Sequence, residues 1–297
     1  MLIKLKQYIL LHILCIVGFL QVGAQDRRYY FETLDIHKGL SQNTVNTVIQ
    51  DHFGFMWFGT KDGVNRYDGL DFRVFKQKIG DKNGLKSNFI NVLFEDRDHI
   101  IWVGTDAGLY LYNPQKESFT AFEYRTADGT VIDKSITVIY GDQKGGVWIA
   151  VDEQGLFYFD LNKKCLIRYT LTQLNGGRAN IQSFFIDNNG TIWIGFFKDG
   201  LSYSKDNLKT LRPFLTNGKE PFEGGIVNKI IEGAYNCLYV GTAKGIYEIN
   251  LSSEQLKSLI QTDEKGEELF VRDILPFSNN ELWIGTESGV YIYNLRQ

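Results

Sequence analysis

Residues 88–122 read NFINVLFEDRDHIIWVGTDAGLYLYNPQKESFTAF. Four short runs of Val, Ile, Leu and aromatic residues stand in this stretch, each bounded by Asp, Gly, Asn or Lys, which is the pattern of short antiparallel strands joined by tight connections. The first run is apolar at Ile90, Leu93 and Phe94. The second carries an indole and then a glycine, Trp102-Val-Gly104-Thr105. A short loop ending in Gly108 leads to the third run, and a more polar fourth follows at Ser118–Tyr124. The Trp102 ring is large enough to wedge between two sheets, and a glycine two residues on leaves room for a neighbouring backbone or ring.

The same unit recurs to either side. All five tryptophans, Trp57, Trp102, Trp148, Trp193 and Trp283, occupy its second run at intervals of 45, 46, 45 and 90 residues, and Tyr239 fills the double step. A period near 45 residues belongs to repeat arrays and propellers. An Asp-x-x-Gly turn often precedes the aromatic, as at Asp51–Gly54 and Asp187–Gly190; Asp in the first turn position can accept from backbone amides ahead of it, and Gly tolerates the closing geometry. One four-stranded sheet cannot bury both its faces, whereas six packed face to face around an axis can. The expected fold is therefore all-β: a β-propeller of four-stranded antiparallel blades with six repeats at about 40–78, 86–124, 134–171, 179–214, 225–260 and 269–297.

The core W-[IVF]-G-T-x-x-G-[LVI]-x-x-[YF], with its Asp-x-x-Gly turn, resembles the two-component regulator propeller repeat. The resemblance covers about residues 40–297 and departs at Ala150 for Gly, Phe196 for Thr and Tyr239 for Trp; a weak repeat is held by its neighbours. It implies the periplasmic sensor part of hybrid two-component regulators, a family best known in Bacteroidetes. There, two seven-bladed propellers precede a small β-sandwich, a membrane helix, a histidine kinase, a receiver and a DNA-binding module. A second long apolar span, a kinase nucleotide-binding glycine motif and a phospho-acceptor helix are not found in this sequence. The chain is thus expected to correspond to the start of such a sensor, as a fragment, a truncated product or a stand-alone relative, and not to be an enzyme itself.

Closure of the ring has two readings. Residues 29–36, YYFETLDI, look like the fourth run of a blade, and the sixth unit has only three runs. A strand at 29–36 could complete that unit, close six blades and remove a raw sheet edge. Alternatively the ring is an interrupted seven, with apolar flanks left open on two blades.

Residues 1–24 read as a secretory signal peptide: a short basic region, an apolar core of about a dozen residues, and small residues at Val22-Gly-Ala24. The expected location is periplasmic, with residues 25–297 as the propeller. Net charge is −3, and −5 once Lys4 and Lys6 leave with the leader, which argues against a nucleic-acid partner. Cys165 and Cys237 then remain, expected to be buried and unpaired. His37, His52 and His99 do not have metal-ligand spacing, so no metal site is expected, and the Asp-x-x-Gly turns carry too few acids for a calcium loop. No cofactor motif and no nucleophile elbow occur.

Two candidate binding regions follow. Five residues before the turn Asp, or its equivalent, stand Asn46, Asn91, Thr137, Gln182, Asn228 and Arg272, a polar residue in every unit amid apolar neighbours. They are expected to form an inward-facing ring at the mouth of the axial channel. Amides and hydroxyls that donate and accept suit sugar hydroxyls; satisfying strand ends and ordered water is the competing explanation. The second region is the loop at Phe196-Phe197-Lys198-Asp199, where exposed aromatics could stack on sugars or on a partner; the competing reading is that Phe196 packs inward and only Phe197 is out. By resemblance, the chain senses oligosaccharides from glycan breakdown and signals to a downstream histidine kinase. The alternatives are a structural propeller that helps sensors form a homodimer, and a secreted polysaccharide lyase or hydrolase, for which no carboxylate pair stands out.

Overall fold

The computed structural model describes residues 29–295 except 82–83, 172–179, 217, 219, 223, 235 and 279. The signal peptide expected at residues 1–24 lies outside the described residues. Residues 29–34 group apart from Asp35–Gln297, and they form no strand. The strand expected over 29–36 is therefore not formed. The local reason is at its end: the Asp35 carboxylate accepts from the His37 N–H, its carbonyl accepts from the Lys38 and Leu40 amides, and Ile36–Lys38 wind into a 3-10 turn closed by Gly39 at φ 103°.

From Val45 onward the chain is a propeller of antiparallel meanders, each pairing its strands in sequence order. Blade 1 is Val45–Gln50, Met56–Thr60, Gly63–Tyr67 and Phe72–Phe75. Blade 2 is Ile90–Glu95, Ile101–Thr105, Gly108–Asn113 and Ser118–Ala121. Blades 3, 4 and 5 begin with Ile136–Gly141, Ile181–Ile186 and Val227–Glu232 and also have four strands. Blade 6 has three: Val271–Ser278, Glu281–Thr286 and Gly289–Asn294. A two-stranded ribbon, Leu215–Thr216 with Glu220–Pro221, lies in the sequence between blades 4 and 5. Among the described residues no helix is long and apolar enough to cross a membrane.

In blades 1 to 5 the aromatic of the second strand is the wedge that its period implied; Trp283 of blade 6 is half-buried and stacks on Phe277 of its own blade. Trp57 meets Tyr112 of blade 2 edge-on at 4.9 Å, Trp102 meets Phe159 of blade 3 at 5.9 Å, and Trp148 stacks on Phe184 of blade 4 at 5.2 Å. Trp57, Trp102, Trp148, Trp193 and Tyr239 are buried; removing such a ring costs about 3–5 kcal/mol. A polar clamp holds the indole. Asp51, Asp96 and Asp187 each accept an indole N–H on Oδ2, at 2.7, 2.7 and 2.9 Å, while Oδ1 accepts two turn amides. Asp142 and Trp148 repeat the pair at 3.3 Å.

The same glycine in each second strand sets how closely blades approach. A Cβ on Gly59, Gly104, Gly195 or Gly241 would lie 2.5–2.7 Å from the branched side chain that opens the next blade, namely Ile90, Ile136, Val227 or Val271. At Gly285 of blade 6 the nearest atom to such a Cβ is its own neighbour, the Asp273 carbonyl, at 3.8 Å. Val45, the residue that would fill this place from blade 1, is 37% exposed, and Val48 is 46% exposed. Their five counterparts at each position are buried. On the other lip Val290 is 60% exposed, whereas Val64, Leu109, Leu156, Leu201 and Ile246 are buried. The ring formed by the described residues is thus open between blade 6 and blade 1, and the closed six-bladed reading is corrected.

Both thiols are free, but only Cys237 is buried; Cys165 is part-exposed, because it begins an outer strand rather than a second one.

Candidate functional site: a bulged inner ring and the interblade surfaces

Every innermost strand breaks register at the same place, and that of blade 6 breaks it again between Pro276 and Ser278. The break falls between Val45 and Thr47, Ile90 and Val92, Ile136 and Val138, Ile181 and Ser183, Val227 and Lys229, and Val271 and Asp273. The extra residue is Asn46, Asn91, Thr137, Gln182, Asn228 or Arg272. A bulged residue is left out of the ladder and its side chain is re-aimed, which is why this position is polar in all six units. The sequence located the position without disclosing the bulge, because an apolar–polar pattern does not distinguish a bulge from a simple alternation.

These six side chains do different work. The Asn46 amide donates to the Ile90 carbonyl at 2.7 Å, and Asn228 donates to the Val271 carbonyl at 2.8 Å. Asn91 donates to the Ser135 hydroxyl at 3.1 Å. These three clip each blade to the next. Thr137 bonds within its own blade, to the Ala150 carbonyl. Gln182 reaches Asn180, and Arg272 pairs with Glu287. One residue further on, Ser183 donates to the Val227 carbonyl at 2.8 Å and Lys229 meets Asp273 at 2.7 Å. None of the six is buried, and Asn46 and Arg272 are exposed. Each amide uses one N–H in its clip, and a primary amide has further donor and acceptor capacity.

The aromatic loop is reduced to one residue. Phe196 ends its strand and is 2% exposed, packed with Ile181 and Ile194 in the core, so it is not a binding side chain. Phe197 is 42% exposed. In blades 1, 2, 5 and 6 the threonine at the Phe196 position bonds through its hydroxyl to the carbonyl of Gly63, Gly108, Gly245 or Gly289. Blade 4 has no hydroxyl there and fills the space with a ring.

A cavity of about 300 Å³ lies between blades 4 and 5. Trp193, Tyr203 and Phe214 supply aromatic wall, and Asp187, Lys205 and Glu254 supply charge; Lys205 and Glu254 are 3.3 Å apart. Its size is at the lower end for small-molecule sites. No linear motif announces it, because its lining comes from strands and turns of two repeats.

The structure also brings together what sequence spacing set apart. His52 lies in the first turn of blade 1, Glu95 ends the innermost strand of blade 2, and His99 lies in the turn that follows. The His52 Nδ1 is 2.5 Å and the His99 Nδ1 3.4 Å from Glu95 Oε1, and the two imidazoles stack with centroids 3.9 Å apart. Spacing along the sequence did not indicate this grouping; blade packing supplies the proximity. At blades 4 and 5 the equivalent glutamate, Glu232, accepts from the Asn188 N–H at 3.2 Å, and burial pushes its carboxyl above the usual range.

Comparison with known proteins finds the same repeat and the same blade geometry elsewhere. Residues 39–62 and 84–107 match the two component regulator propeller model. The extracellular domain of a hybrid two-component system from B. thetaiotaomicron superposes with a TM-score of 0.76 at 27% identity, covering 91% of this chain and 36% of that one. A second such domain from the same organism gives 0.74 at 20% identity, covering 91% and 38%. A histidine kinase of Formosa agariphila is 34% identical over 62 residues, which is 21% of this chain and 4% of the kinase. The chain carries two-component regulator propeller repeats, and it spans little more than a third of the solved domains it resembles.

Proposed function

We propose that this chain is a ligand-sensing propeller of an extracytoplasmic two-component sensor, located in the periplasm, non-catalytic itself, and responsive to oligosaccharides released from glycans. The observation that carries the reading is the likeness over 91% of the chain, at 27% identity, to a domain that is extracellular in a hybrid two-component system. The bulged ring favours a hydroxyl-rich ligand, since Asn46, Asn91, Gln182 and Asn228 are amides that donate and accept together. The signal would pass to a histidine kinase. Thermal-shift screening of the exported chain against an oligosaccharide panel is expected to give at least one concentration-dependent rise in Tm, lost in Asn91→Ala with Gln182→Ala. A folded sample that responds to no oligosaccharide sinks the sensing reading.

A second reading is favoured by the open ring: a structural propeller that pairs with a second copy. Leu275, Val290 and Ile292 on one lip and Val45 and Val48 on the other expose apolar surface, of the kind that marks association sites. Light scattering across a concentration series is expected to show a dimer that Val48→Lys with Leu275→Lys returns to monomer. A monomer at every concentration removes this reading.

A further inference from the structure

We infer that His52, Glu95 and His99 form a binding site for a divalent transition ion of the zinc type, bridging blades 1 and 2. Two imidazoles and one carboxylate are the donor set such ions take, at about 2.0–2.2 Å, with a fourth position left for water. One potential ligand atom from each residue lies within 4.8 Å of the others, so side-chain adjustments of roughly an ångström bring all three to coordination distance.

The repeat itself shows that this grouping exceeds what the fold requires. The structural job of the glutamate is to accept from the turn of the preceding blade: Glu95 takes the His52 N–H at 3.2 Å, just as Glu232 takes that of Asn188. That job needs only the carboxylate. Blades 1 and 2 add an imidazole on either side of it. His99 also occupies the turn position that is Gly54, Gly145 or Gly190 in other blades, and it holds the same left-handed backbone, φ 62°, against values of 78–90° for those glycines. A side chain is kept where the backbone favours none, and it is stacked on the His52 ring at 26°. The Glu95 side chain is 16% exposed, that of His52 29% and that of His99 56%, so the carboxylate is partly shielded and the group is open to an ion from solvent. Among the described residues blade 1 has no neighbour on its other flank, and the ion would tie it to blade 2.

The test uses the full chain stripped with chelator. Zinc titration by calorimetry is expected to show one ion per chain. Loss of a directly bound ligand should weaken binding more than tenfold, since even outer-sphere partners are worth 10–100-fold. This is expected for His52→Ala, His99→Ala and Glu95→Gln, while His37→Ala binds as the parent does. Glu95→Gln keeps an oxygen for the His52 amide, and circular dichroism confirms that each variant is folded. Zinc is expected to slow hydrogen exchange in the turns at 51–54 and 96–99 of the parent. No saturable uptake, or uptake unchanged in all three variants, overturns the site; unchanged exchange in a zinc-loaded parent overturns the bridge.

Discussion

Gly104→Ala is expected to lower the stability of this chain by about 3 kcal/mol, while Gly285→Ala, the same change at the same position two-thirds of the ring away, shifts it by no more than about 0.5 kcal/mol. A Cβ at Gly104 would lie 2.6 Å from Val92 and 2.7–2.8 Å from Ile136. Both neighbours are β-branched and held in strands, and Ile136 is fully buried, so neither can yield without a backbone shift. Overpacking of that kind costs about 1–3 kcal/mol, occasionally more. At Gly285 the added methyl meets only a carbonyl at 3.8 Å, an ordinary surface change. For a chain of this size 3 kcal/mol corresponds to a fall of about 6–10 °C in Tm. The pair of variants reports directly on the gap, because glycine here is needed only where a following blade presses on it. Equal losses at both sites would mean that the lip of blade 6 is covered in solution.

The sequence offered that gap as one of two readings and could not decide between them. Val45 and Val48 are apolar in the same way as Ile90 and Leu93; what distinguishes them is the missing neighbour, and a residue does not encode whether its neighbour is there. The aromatic period was legible for the opposite reason. The indoles of blades 1 to 4 are each buried by their own blade and the next, so the demand recurs from step to step and leaves the same letter. The polar ring was half legible: Asn46 and its five counterparts stood out as polar, but the bulge that makes them so is a property of pairing with the second strand. Phe196 was left between two readings, because a ring in a threonine slot looks like a loop residue until the packing of Ile181 and Ile194 is seen. The histidines were missed because their distance is set by how blade 1 lies on blade 2.

Asp96→Ala is expected to be the most damaging single change in a turn, at about 4 kcal/mol. Asp96 is 5% exposed and accepts three hydrogen bonds, from the Asp98 and Ile100 amides at 2.9 Å and from the Trp102 indole at 2.7 Å. Truncation leaves a buried indole N–H and two turn amides without acceptors, each worth about 1–3 kcal/mol when stranded. Asp96→Asn keeps one good oxygen and should lose about half as much. Blade 5 supplies the complementary test. There the turn begins with Gly233 and the wedge is Tyr239, and a Cβ on Gly233 would lie 2.3 Å from the phenol ring. The ring occupies the space that the carboxylate fills elsewhere, so the two departures from the repeat are one coupled exchange: without an indole N–H to hold, the acid has no partner, and the phenol takes its place. Gly233→Asp alone is therefore expected to destabilise by several kcal/mol through that overlap. Combined with Tyr239→Trp, it should recover at least 1 kcal/mol relative to the sum of the two single changes, the signature of contacting sites in a double-mutant cycle. Additive losses in urea denaturation would show that acid and indole are placed independently, and that the repeat is maintained by packing of the ring alone.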